Sequence, residues 1–387
     1  MPAPPPLSEL RVVTLEQAVA APFCSRQLAD MGADVVKVER PDGGDFARSY
    51  DGALHGLSGY FAWLNRGKRS VTLDLKAERG REAMDKLLMR SDVFIHNLAP
   101  GAIDRLGFGW EELRQRNPGL LWVSISGYGL DGPYRDKKAY DMLIQAESGV
   151  VALTGTPEEP AKVGISIADI SAGLYAFAAT LSALMRRGHT GEGDRIDVSI
   201  MECLTEWVMP PLYTYLGTGQ APPRAGLRHN MIVPYGAYPC SDGAVMLAIQ
   251  NEREWARFCR GVLRRPELAD DERFAGNERR LYNREALEAI IEASLSDLSR
   301  AEVVSRLDEA GIANGAVNEI SHVAEHPQLK ARQRWTTVES PIGPIPALYP
   351  PYNLQGMSPN MGRVPALGEH TREVLSELGL SEATSWS

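Results

Sequence analysis

Cysteine is scarce in this chain, with four in 387 residues. Cys24, Cys203, Cys240 and Cys259 stand far apart and form no C-x-x-C pair, which excludes the usual zinc spacings and a disulfide framework and points to a reducing cytoplasm. The seven histidines show neither H-x-H nor H-E-x-x-H, so no metal site is expected. No tract of lysine and arginine occurs. The net charge of −9 argues against a nucleic-acid partner, because phosphate binding demands a basic surface. The opening MPAPPPLSEL lacks the charged start and apolar stretch of a signal peptide. No apolar run reads as long enough to span a bilayer, so no membrane association is expected.

Two nucleotide signatures are also missing. The first strand-to-helix turn, TLEQAVAAPF, contains no glycine, whereas a dinucleotide fold carries G-x-G-x-x-G there. That weighs against a nicotinamide or flavin enzyme. G-x-x-x-x-G-K-[ST] is absent as well, which removes the commonest nucleotide hydrolases.

What is present is an ordinary globular composition, 44% hydrophobic and 24% charged, in a chain long enough for two domains. Strand-like runs at 10–15, 33–39, 92–97 and 119–128 alternate with amphipathic stretches at 22–32, 77–91 and 104–118. This alternation predicts an α/β fold with a mostly parallel, doubly wound, Rossmann-like sheet. Ligands in such sheets sit beyond the carboxyl ends of the strands, where the sequence places Glu16, Gln17, Ala18, Arg40, Asn97 and Ser126–Gly127–Tyr128. The texture changes near residue 205. A large domain is expected over 1–205, a Pro- and Gly-rich linker over 206–225, a smaller inserted α+β domain over 226–325, and a return crossing to the large domain over 326–387. The smaller domain should carry a hairpin turning at Ser241–Asp242–Gly243.

One acid stands out. In AKVGISIADISAGLYAFAATLSALM, Asp169 precedes a long small-residue helix, and no lysine or arginine follows it before Arg186. An aspartate at a helix start is most often an N-cap. It could instead pair with a distant arginine, or act as a nucleophile or base held charged by the helix N-terminus. The local sequence leaves these three open.

Seven segments, in order, bear on the choice: AVAAPFCSRQLADMGADVVKVERPDGGDFAR, LNRGKRSVTLDLK, HNLAPGAIDRLGF, YDMLIQAESGV, DISAGLYAFAATLSAL, TGEGDRIDVSIME and LGEHTREVL. Together they resemble the family III CoA-transferases, over nearly the whole chain. The resemblance implies that Asp169 is the nucleophile. It would pass acyl groups through a mixed anhydride and an aspartyl-CoA thioester, with the apolar helix excluding water and the helix start keeping the acid charged. It implies a coenzyme A thioester as substrate, no permanently bound cofactor, and an interlocked, ring-like homodimer. The CoA contacts carried over are Gln17 and Ala18 near the thioester, Arg40 at the adenosine end, Leu73 and Lys76 flanking the adenine, Asn97 and Leu98 as a backbone-and-amide contact, and Arg105 and Lys138 toward the phosphates or pantetheine, with Tyr140 a further pocket residue.

Departures narrow the substrate. Glu16 stands where the formyl-CoA branch has histidine, and AIQNEREW replaces a glycine-rich loop, leaving Gln250 and Asn251 as polar lid candidates. The branch that transfers CoA from succinyl-CoA to dicarboxylates such as glutarate, malate, itaconate and mesaconate is closer. Its acceptor's free carboxylate would need a cation, and Arg48, Arg228 and His229 are the candidates. Two rivals remain. An acyl-CoA racemase would carry His–Asp where this chain has Tyr140–Asp141. A silent CoA-binding protein would have no use for Asp169.

Overall fold

A computed structural model describes residues 4–380, and the chain divides into two compact units. The first comprises residues up to 149 together with 163–209 and the segment from 328; the second comprises 150–162 and 210–327.

In the first unit six strands form one parallel sheet: β1 (Arg11–Leu15), β2 (Asp34–Glu39), β3 (Lys68–Thr72), β4 (Val93–His96), β5 (Leu121–Ser126) and β6 (Asp194–Ser199), in the order β3-β2-β1-β4-β5-β6. Strand order reverses between β1 and β4, so their carboxyl ends open a crevice. Helices cover both faces. Ala20–Asp30 and Ile167–Thr190 pack on the face bearing Val12, Val35, Ile95 and Val123. The face bearing Val13, Val36, Phe94 and Trp122 packs against Glu78–Met89 and the C-terminal Thr371–Glu377. The stretch predicted as one helix over 104–118 is broken into Ala102–Arg105 and Trp110–Arg116. Gly107 between them has φ +85°, a left-handed conformation that interrupts a helix. An antiparallel pair, β10 (Trp335–Val338) and β11 (Ile345–Leu348), belongs to the same unit.

The second unit holds β7 (Tyr235–Cys240), β8 (Gly243–Ala248) and β9 (Ala313–Ala316) as an antiparallel sheet, over a core of Tyr238, Trp255, Phe258, Leu287 and Leu307. The hairpin turn falls at Ser241–Asp242 as expected. The linker does not: Met209–Thr218 is a helix, because Pro210 and Pro211 sit in its first turn, where a missing N–H costs nothing.

The helix Ile167–Thr190 also corrects the expectation about membrane spans, since by length and composition alone it could cross a bilayer. One side, from Ala168 through Ala172 and Ala176 to Ala183, is buried against the sheet and the helix Ala20–Asp30. Gly173 permits that contact. A Cβ there would lie 2.5 Å from the Ala20 carbonyl oxygen and 3.0 Å from Phe23. Gly173→Ala is therefore expected to destabilise the protein by about 1–3 kcal/mol through overpacking, outweighing the helix-propensity gain of about 1 kcal/mol. A urea midpoint equal to or above wild type would contradict this.

Candidate active site

Asp169 is the third residue of its helix and is partly buried. It is not the N-cap. Ser166 holds that position and makes no side-chain cap bond, and the capping is done from outside by Asp141. The Asp141 Oδ1 accepts from the backbone N–H of Ala168 at 2.8 Å and of Asp169 itself at 3.2 Å. Its Oδ2 accepts from Gln145 Nε2 at 2.7 Å. Gln145 is anchored in turn, donating to the Ile165 carbonyl and accepting from Val163 N–H. Burial, then the nearby Asp141 charge, pushes the Asp169 carboxyl up to about 7. The expectation that the helix start would keep this acid firmly charged is corrected: desolvation and a like charge outweigh the helix dipole.

Both the helix Ala20–Asp30 and the helix Ile167–Thr190 lead back from the carboxyl edge of a parallel sheet and so run side by side in the same sense. Gly173, against Ala20, fixes their stagger, and Asp169 lies one turn further toward that edge on the same face. The groups around it include Tyr50, whose hydroxyl is raised by burial and then by Asp45, Asp169 and Tyr140. Tyr50 is in edge-to-face contact with Tyr60 at 5.8 Å. Sequence reasoning missed Tyr50, Asp45 and Asp141. Only Asp141 had a signal, an acid heading a short helix 28 residues before Asp169.

The crevice at the ends of β1–β4 is a cleft lined by Gln17, Arg40, Leu73, Lys76 and Leu98, with Leu15, Gly44 and Leu106. Five of the ten proposed CoA contacts are thus brought together. Arg40 donates to the Gly44 carbonyl and stacks over Phe46 at 5.0 Å. Ala18 and Asn97 form the turn beside the cleft: Asn97 Oδ1 accepts from Gln17 N–H at 3.0 Å and its Nδ2 donates to the Gln17 carbonyl at 2.8 Å. The Asn97 side-chain amide thus holds the protein's own backbone at this turn. Arg105, Lys138 and Tyr140 are exposed and do not line the cleft.

The acceptor-clamp candidates fare differently. Arg48 is bound bidentately by Glu39, at 2.8 and 2.7 Å, and lies over the Phe61 ring at 3.8 Å. Arg228, in the second unit, pairs with Glu288 at 2.8 Å and Glu292 at 2.6 Å and covers Tyr238. Both guanidinium groups are already neutralised, so neither stands ready for a substrate carboxylate. His229 stacks on Tyr235, accepts at Nδ1 from Met231 N–H, and is lowered by burial and Arg284. Asn251 is the N-cap of the helix Glu252–Arg257, accepting from Glu254 N–H at 3.0 Å. Gln250 is exposed, with its backbone N–H bound by Glu254.

Comparison with known proteins bears on this site. Residues 7–371 match the family described as CoA-transferase family III. The chain is 35% identical over 392 residues to a succinate–glutarate CoA-transferase of Agrobacterium fabrum, covering 98% of each. It is 36% identical over 329 residues to an acetyl-CoA:oxalate CoA-transferase of Acetobacter aceti, covering 84% of each. Among solved structures it is similar to a CaiB/BaiF family protein of Brucella suis, with a TM-score of 0.84, 37% identity, and coverage of 97% of this chain and all of that one. With a match of this extent over a Rossmann-ordered sheet, the chain belongs to CoA-transferase family III.

Proposed function

We propose that the enzyme moves CoA from succinyl-CoA to a small dicarboxylate, such as glutarate, mesaconate, itaconate or malate, and that Asp169 carries the acyl groups in transit. The observation that supports this most is the Asp169 carboxylate at a helix start, desolvated and, among the described residues, without a cation to neutralise it. Such a group is a competent nucleophile toward a thioester and has no structural duty to perform. The similarity to a glutarate enzyme supports the acceptor class.

The steps balance without ATP or a metal ion. An Asp169 oxygen attacks the succinyl-CoA carbonyl, the C–S bond breaks, and CoA thiolate leaves a mixed succinyl–aspartyl anhydride. The thiolate attacks the aspartyl carbonyl, forming an aspartyl-CoA thioester and releasing succinate. The acceptor carboxylate then displaces the thiolate to give a second anhydride. The thiolate attacks the acceptor's acyl carbon, releasing the new acyl-CoA and the Asp169 carboxylate. Arg40 and Lys76 supply local positive charge at the cleft for the nucleotide end of CoA, in a protein whose net charge is −9. Exposed apolar residues Leu174, Tyr175 and Met185 on the Asp169 helix support an interlocked homodimer. Four free cysteines support a reducing, cytoplasmic setting.

Because Asp169 reacts as the anion, kcat/KM is expected to rise with pH through about 7. Asp141→Asn keeps an acceptor for the two helix N–H groups but removes the like charge, so this limb should move to lower pH. It moves only in part, since burial is the larger cause. An unmoved limb in a folded variant would show that Asp141 does not act on Asp169. The substrate assignment is tested with succinyl-CoA against glutarate, mesaconate, itaconate, malate and oxalate. Preference for oxalate, a two-carbon diacid, over these four- and five-carbon ones would overturn the acceptor class proposed here. A neutral-range acid also suits proton transfer, so solvent deuterium appearing at the α-carbon of a branched acyl-CoA, with no transfer to any acid, would establish a racemase instead.

A further inference from the structure

Ala18 adopts φ +63°, the left-handed region that an alanine enters only at a cost and a glycine enters freely. Strain of this kind persists where surrounding groups over-determine it, and here two side chains do so. Asn97 binds both the N–H and the carbonyl of Gln17, while Asp45 Oδ1 accepts from Ala18 N–H at 2.9 Å. Asp45 cannot swing away. The same oxygen accepts from Ala47 N–H at 2.9 Å, its Oδ2 takes Lys37 Nζ at 2.6 Å, and its own N–H donates to Glu39 at 3.0 Å. It is buried, with 2% of its surface exposed. The result is that Gln17 lines the cleft with a buried amide oxygen that has no partner among the described residues. An unpaired buried acceptor is costly, and it is tolerable where a bound molecule supplies the donor.

We propose that Asp45 is a positioning residue for acyl-CoA: it clamps the left-handed Ala18 amide and so holds Gln17 in its place along the cleft. This rests on the reading of the cleft as the CoA site.

The full-length protein is titrated with CoA by calorimetry. Wild type is expected to bind; if it does not, the cleft reading fails and the clamp fails with it. Asp45→Ala frees Ala18 to leave the left-handed region and is expected to weaken CoA affinity by about tenfold, the order of population change that such a conformational cost commands. Adding Ala18→Gly removes the cost, so affinity should return most of the way. The fall in melting temperature from leaving Lys37 with only its longer contact to Glu16 should remain, because glycine does nothing for a buried ammonium. Asp45→Asn keeps the Oδ1 acceptor and should hold CoA affinity to within about threefold of wild type. Should Asp45→Ala not fold, the pair Lys37→Met with Asp45→Ala removes the stranded charge along with the clamp and serves in its place. Wild-type affinity in the Asp45→Ala protein, or affinity lost but not recovered with Ala18→Gly, would overturn the proposal while leaving the cleft reading intact.

Discussion

Asp169→Ala is expected to lose CoA transfer by at least about a thousandfold while becoming more stable at neutral pH. The loss follows from removing the only group assigned to hold the acyl chain between donor and acceptor, since each covalent step passes through its oxygen. The gain follows from the environment. Burial and Asp141 raise the carboxyl to about 7 in the folded protein, against an ordinary aspartate value in the unfolded chain. Between those two values the unfolded chain has released its proton and the folded one has kept it, so stability falls as pH rises. Removing the acid abolishes that loss, and the variant should exceed wild type by roughly 1–3 kcal/mol at and above neutrality and match it under acid. A helix cap predicts the reverse, since Asp→Ala at an N-cap costs about 1 kcal/mol. Urea titrations at acid and neutral pH separate the two. Chemistry gives an independent reading: wild type incubated with succinyl-CoA and hydroxylamine, without acceptor, should yield a hydroxamate on the peptide carrying Asp169. Full activity in Asp169→Ala, or a hydroxamate that still forms in it, contradicts the mechanism.

Glu16→Ala is expected to be the most destabilising single change near the site, by about 3–5 kcal/mol at neutral pH. Glu16, Lys37 and Lys68 have fully buried side chains. Glu16 accepts from Lys68 Nζ at 2.7 Å, from Lys37 Nζ at 3.4 Å and from Ser25 at 2.7 Å. Although burial opposes it, the two ammonium groups hold Glu16 below the usual carboxylate range. Lys68 is brought down to about 8, because burial and the Lys37 charge outweigh what Glu16 returns. Truncating Glu16 leaves Lys68 a buried cation with only the Asn65 and Pro22 oxygens as hydrogen-bond partners among the described residues. Lys68 can escape by shedding its proton, and losing Glu16 brings it down below its wild-type value of about 8, so the cost of the variant should shrink as pH rises toward 8. For the wild type, the Glu16 contribution is present above the unfolded carboxylate's pKa and is lost as pH falls through the lower folded value. A Glu16→Ala midpoint within about 1 kcal/mol of wild type at neutral pH would mean that this trio adds no more than a surface network does.

The alternation of strands and helices was legible through β1, β2, β4 and β5, whose apolar runs are buried on both faces. The two edge strands were not. β3 reads KRSVT, with no apolar pattern, and β6 reads DRIDVS, whose only apolar residues are Ile196 and Val198. β3 is buried because Lys68 finds Glu16 and Ser70 finds Glu39 at 2.6 Å, partners 52 and 31 residues away that no local periodicity reveals. The same long-range pairing removed Arg48 and Arg228 as acceptor clamps: a lone arginine in a sequence carries no sign of the carboxylate waiting for it.

What the sequence determined by itself is the α/β class, the family, and the singular placement of one acid before a long apolar helix, since these rest on residue order and spacing. Tertiary structure decided the rest. It gave the capping of the Asp169 helix to Asp141, let burial and like charge set that acid near neutrality, and forced a left-handed alanine where a glycine was looked for. Each depends on groups brought together across the fold, where desolvation and Coulomb interactions act through space and not along the chain.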